Sequence, residues 1–140
     1  MDIKKIIAMC LENTGYQLEK CFEGMREDTL DLRICPTTRT PREHMIHLCD
    51  VYNGYLKAAA GEEYEWGSFE PSDTSFEGLK KTLQQLRGQA VEQALKAKNE
   101  QAVADAFDYI QAHECYHIGQ ICLTRIQNEP DWDPYSIYPS

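Results

Sequence analysis

Apolar residues recur at three- and four-residue steps along most of this chain, which is the period of an amphipathic helix. Over residues 2–26 the stripe runs through Ile3, Ile7, Leu11, Leu18, Phe22 and Met25. Residues 28–40 hold Pro36 and four threonines and read as a connection. A second helix starts at Thr40-Pro41-Arg42-Glu43, with threonine as N-cap, proline at the first helical position and Glu43 completing a capping box. Its stripe of Met45, Leu48, Val51, Tyr52 and Tyr55 ends at Ala60, and Gly61 is the expected C-cap.

Residues 61–74 are acidic and aromatic, with Tyr64, Trp66, Phe69 and Pro71, and form a loop. Thr74-x-x-Glu77 is a second capping-box pattern and opens a third helix through Leu79, Leu83, Leu86, Val91 and Leu95. Gly88 inside it costs about 1 kcal/mol against alanine. Asn99 caps a fourth helix through Val103, Phe107, Ile110, His113, His117 and Ile121 to about Asn128, where Pro130 stops it. The aromatics of the tail, Trp132 and Tyr135, are expected to fold back on the helices. No alternating run bounded by hairpin turns is present. The pattern predicts an all-α protein, a four-helix bundle forming one domain over residues 1–140.

Composition narrows the partners. Apolar residues make up 42% and charged residues 26%, as in a soluble globular protein. The 23 acidic residues against 14 basic ones give a formal charge of −9, which repels phosphate backbones and anionic lipid, so neither nucleic acid nor membrane is an expected partner. No apolar run approaches the roughly 18 residues of a membrane span. The start Met1-Asp2-Ile3-Lys4-Lys5 is charged and runs straight into the first helix, unlike a signal peptide, so a cytoplasmic location is expected. The six cysteines contain no C-x-x-C pair, and several fall at apolar helix positions, so they are expected to be reduced and buried.

The candidate chemistry lies in the histidines, of which there are four: His44 and His47 on helix two, His113 and His117 on helix four. Residues four apart on a helix differ by about 40° in direction, so His113 and His117 project from one face, as two ligands of one metal must. His47 supplies a third nitrogen if helices two and four face each other; His44, about 60° away, is the alternative that spacing leaves open. Three imidazoles leave a coordination position free for water or substrate.

His113-Glu114-Cys115-Tyr116-His117 also matches H-E-x-x-H, the zinc-peptidase pattern with glutamate as general base. The tail beyond His117 holds no histidine for a third ligand, and no strand is available to align a peptide, which argues against a peptidase. Glu114 remains a candidate base for metal-dependent hydrolysis. Gln120, three residues after His117, is a candidate to fix an imidazole or touch a ligand, and Asp50, three after His47, to accept an imidazole N–H. Gly119 inside a helix suggests a close helix contact near the metal.

The segment His47-Leu48-Cys49-Asp50 resembles the His-Leu-x-Asp signature of the DinB/YfiT-like metalloenzyme superfamily. His113-Glu114-Cys115-Tyr116-His117-Ile118-Gly119-Gln120-Ile121 resembles its C-terminal signature, H-x-x-x-H-x-G-Q-I. The resemblance spans nearly the whole chain, with these two motifs its specific part. It implies an up-down-down-up bundle, one divalent metal ion, zinc or nickel first, on His47, His113 and His117, and a homodimer. It favours His47 over His44. Relatives of that family include S-transferases and isomerases that use low-molecular-weight thiols, so a thiol-dependent transferase or isomerase acting on a small molecule is the expected activity. The alternatives are a non-catalytic, stress-related metal-binding protein and the hydrolase using Glu114.

Overall fold

Asp2 accepts from the backbone N–H groups of Lys4 and Lys5 and so starts α1, Ile3–Phe22. The structure, a computed structural model, describes residues 1–139. α1 buries Ile7, Leu11, Leu18 and Phe22 on the predicted face, and Gly24, at φ +69°, turns the chain out of the helix. The connection that follows contains a 3-10 turn, Thr29–Asp31. It is pinned by the buried carboxylate of Glu129, which accepts from the Thr29 hydroxyl at 2.6 Å and from the Arg26 N–H at 3.2 Å.

Thr40 caps α2, Pro41–Ala59, by accepting from the Glu43 N–H. The Glu43 carboxylate pairs with Arg33, and Thr40 also lowers its pKa through hydrogen bonds from hydroxyl and backbone N–H, the return arm of the capping box. Gly61, at φ +73°, closes the helix, and the following N–H of Glu62 donates to the Lys57 carbonyl at 2.9 Å. α3, Phe76–Ala94, starts one residue later than expected: Ser75, not Thr74, is the N-cap and accepts from the Gly78 N–H. Asp73 sets this register by accepting from the Ser75 N–H, folded so tightly that a Cβ on Gly78 would lie 2.3 Å from its carboxylate.

Asn99 caps α4, Glu100–Ala106, by accepting from the Ala102 N–H at 2.8 Å. The rod then passes through a π-helical segment, Phe107–Ala112, into α5, His113–Asn128. This π segment was not expected from the sequence. α4, the π segment and α5 together form the predicted fourth helix.

α2 packs along α3, while α5 and the π segment touch both α1 and α2. Among the described residues there is no strand, and the four long helices make an all-helical bundle. Its centre is occupied by Leu11, Leu30, Met45, Leu48, Leu79 and Ile121, none more than 1% exposed. Each such side chain contributes about 1.5–3 kcal/mol of burial. The tail returns as expected through Trp132, whose ring lies 4.5 Å from the Arg125 guanidinium, and through the buried Ile137 of a last 3-10 turn, Pro134–Ile137. Tyr135 stays exposed. All six cysteines are free; Cys21, Cys49 and Cys122 are buried, whereas Cys35 and Cys115 are exposed, against expectation. Among the described residues no helix is long and apolar enough to cross a membrane.

Candidate metal centre

α2 carries His44 and His47 toward α5, and α5 carries His113 and His117 toward α2. The ring centroids lie 4.7 Å apart for His47–His117, 6.1 Å for His113–His117 and 6.4 Å for His47–His113. Three imidazoles on one tetrahedral ion, with metal–nitrogen distances of about 2.0–2.1 Å, would have centroids roughly 5 Å apart. The rings are therefore near the required spacing, with His113 about an ångström too far out. Among the described residues no group of three His, Cys, Asp or Glu side chains is gathered closely enough to hold a metal ion as it stands. The donor chemistry of three imidazoles fits a divalent ion.

The π segment has a direct consequence for His113. Its Nδ1 lies 2.9 Å from the Asp108 carbonyl, five residues back. A carbonyl only accepts, so Nδ1 carries the proton and Nε2 keeps the lone pair a metal needs. The sequence offered no sign of this partner.

His44 is brought to His117, with a centroid distance of 5.0 Å and the two Nδ1 atoms 2.9 Å apart. It is fully buried, and its Nε2 has no hydrogen-bond partner. Burial lowers the pKa of His44 to about 4 and of His117 to about 3, with like-charged neighbours adding to the effect. Burial, and after it the charge of Arg39, also lowers His47. At neutral pH these imidazoles are uncharged, so no proton competes for their lone pairs.

Glu114 is not turned toward this cluster. It is 0% exposed, and its carboxylate accepts from the Tyr52 hydroxyl at 2.8 Å and from Arg87 at 2.7 and 3.2 Å. Arg87 also donates to the Leu11 carbonyl at 2.6 Å. One carboxylate on α5 thus ties α2, α3 and α1 together, and it is a buried structural anion rather than a solvated one or a base open to a water. Gln120 is half-buried, and its side chain makes no hydrogen bond among the described residues.

Asp50 does not reach an imidazole either. It is buried and accepts from the Tyr64 hydroxyl at 2.7 Å, the Gly67 N–H at 2.9 Å and the Phe69 N–H at 3.2 Å. It therefore anchors the 61–74 loop to α2. Gly54 leaves room for that loop, since a Cβ there would lie 2.3 Å from the Trp66 ring. Trp66 stacks on Tyr109 at 6.0 Å and 10°, and Tyr109 on His113 at 6.5 Å and 15°, so an aromatic wall runs from the loop to the histidines. A glycine in mid-helix facing a loop rich in aromatics was the only sequence sign of this wall. Gly119 has no close helix contact, because a Cβ there would meet nothing within 4 Å.

Cys49 and Cys115 lie within the two motifs without offering a thiolate. Burial pushes Cys49 up to about 12 and also raises Cys115. Compared with protein-family models, with curated proteins and with solved structures, the chain matches none.

Proposed function

We propose that this protein binds one divalent metal ion, zinc or nickel in the first place, through His47, His113 and His117, and is a metal-dependent enzyme acting on a small molecule. The observation that carries this reading is the convergence of the three rings from two helices, 4.7–6.4 Å apart, with burial keeping His47 and His117 neutral. The likeness of both motifs to the DinB/YfiT-like superfamily supports the same trio, an up-down-down-up topology and a thiol-dependent S-transferase or isomerase reaction. A bound divalent ion supplies Lewis acidity, lowering the pKa of a water or thiol so that a nucleophile exists at neutral pH.

The chain's own contributions are positional. Asp108 holds His113 in the Nδ1–H tautomer. His44 stands where it can accept the Nδ1–H of His117 and free Nε2 for coordination. Tyr109, backed by Trp66, stacks on the His113 ring and fixes the side from which it faces the site. Glu114 has no part in proton transfer in this scheme, because both of its oxygens are engaged. For the homodimer that the resemblance implies, the exposed stripe Tyr116, Leu123 and Ile126 on α5 offers a surface that two copies could share across the open Gly119.

Elemental analysis after dialysis against zinc and nickel tests the site. About one ion per chain is expected, falling toward zero in His47→Ala, His113→Ala and His117→Ala; unchanged metal content in these variants sinks the reading. The reaction is tested by thiol conjugation to small electrophiles with metal restored, where no turnover above the His47→Ala background across several thiols removes the transferase. A non-catalytic metal-binding role is favoured by one observation, the nearness of His44 to His117, which would let a fourth imidazole close the site. Azide added to the cobalt-substituted protein decides: an altered visible spectrum marks an open position, and an unaltered one supports the closed, non-catalytic site.

A further inference from the structure

Five of the six arginines are engaged in ion pairs: Arg26 with Asp28, Arg33 with Glu43, Arg42 with Asp31, Arg87 with Glu114 and Arg125 with Glu129. Arg39 has no salt bridge and no side-chain hydrogen bond among the described residues. Its side chain lines a cleft of about 220 Å³ together with His47, Ile46 and Phe69. Two carboxylates also border this cleft, and both are occupied elsewhere. Glu43 faces Arg33, and Asp50 is taken up by the Tyr64 hydroxyl and two loop N–H groups.

Arg39 is thus the unmatched charge at the histidines, and it is positive in a chain whose formal charge is −9. Arg39 is exposed, so its guanidinium, left unpaired beside a cleft when the other five are paired, is free to take an anion that is not part of the chain. Its planar fork suits a carboxylate in particular. The cleft is smaller than the roughly 300–1,000 Å³ typical of drug-sized ligands, so the anion that fits has only a few carbons.

We infer that Arg39 selects the substrate of this site, a small organic acid whose carboxylate meets Arg39, whose short apolar body lies on Ile46 and Phe69, and whose far end reaches His47. This rests on the reading of the histidine cleft as the reactive site, but the recognition of the anion requires no metal.

The test compares butanoate with butanamide, which match in shape and differ in charge. Each is titrated into the full chain, metal-free and zinc-loaded, while backbone amide resonances are followed by NMR. Butanoate should shift resonances of residues 39–47 and 67–69, with an apparent Kd about three- to five-fold below that of butanamide, as a partly exposed ion pair supplies. Arg39→Gln should remove that preference with butanamide binding unchanged, and Arg39→Lys should keep part of it. Resonances away from the cleft report that each variant is folded. Equal affinity for the two probes in the wild-type chain overturns the proposal, as does a preference for butanoate that survives Arg39→Gln. A chain that takes up no zinc yet keeps the Arg39-dependent preference refutes the metal reading alone; one that binds zinc without the preference refutes this inference alone.

Discussion

Glu114→Gln separates two roles for the carboxylate between the paired histidines of α5. In the peptidase-like pattern it is a base, and its loss removes activity while the fold stands. In the structure it is a fully buried anion receiving the Tyr52 hydroxyl and two N–H groups of Arg87, whose side chain is 16% exposed. Breaking a buried ion pair from one side costs about 3–5 kcal/mol. The amide keeps one acceptor oxygen, and Arg87 retains some solvent and its bond to the Leu11 carbonyl, so about 2–3 kcal/mol is the better figure. That is a large fraction of the roughly 5–15 kcal/mol by which domains are stable. For a chain of this size it should lower the Tm by about 10 °C. Urea unfolding at pH 7 followed by far-UV circular dichroism measures the loss, with zinc content read on the folded protein, which should be unchanged. Glu114→Leu combined with Arg87→Met should cost at least about 1 kcal/mol less than the two single changes added together, because no charge is then left stranded. A Glu114→Gln protein as stable as the parent, holding zinc but inactive, would refute the structural role and restore the base.

Acid should weaken the metal-free protein through its buried histidines. His44 and His117 have pKa values of about 4 and about 3 when folded, against 6.5 ordinarily, so between these values the unfolded chain binds protons that the folded chain refuses. Stability from this source is complete above about pH 6.5 and falls as the pH drops through that window, by up to about 1.4 kcal/mol per unit for each histidine. Urea midpoints in chelator at pH 7, 6 and 5 should decline; a flat series would show that the two rings are not held neutral. Gly54→Ala places a methyl 2.3 Å from Trp66 and should cost about 1–3 kcal/mol, with red-shifted tryptophan emission as the ring leaves Tyr109. Unchanged emission would mean that the loop does not pack where described. Deleting Gln111 should convert the π segment to α-helix and turn His113 and His117 by about 100° relative to α4, abolishing zinc uptake. Full uptake by a helical deletion variant would show that the π segment does not aim the histidines.

The parts of the fold that burial dictates were legible in the sequence. A helix with one face in the core must repeat apolar residues at its own period, so α1, α2, α3 and the rod from Asn99 to Asn128 could be read off directly, as could the caps Thr40 and Asn99. The cap of α3 slipped by a residue because Asp73 and Gly78 make a local turn that the capping-box pattern does not encode. The π segment was hidden because one extra residue in a turn only blurs the apolar stripe around Ile110, as a half-buried position would.

The site divides along the same line. Spacing put His113 and His117 on one face of α5, but the residues that decide what that face can do come from across the bundle. Arg87 and Tyr52 turn Glu114 into a structural anion, and the pattern around Glu114 names neither. Arg39 shows the limit most clearly. In the sequence it is one of several scattered arginines; its significance appears only by subtraction, once tertiary structure has assigned an acid to each of the others. A guanidinium becomes informative when the fold leaves it unpaired, and among the six arginines the one left over borders the cleft that His47 also lines.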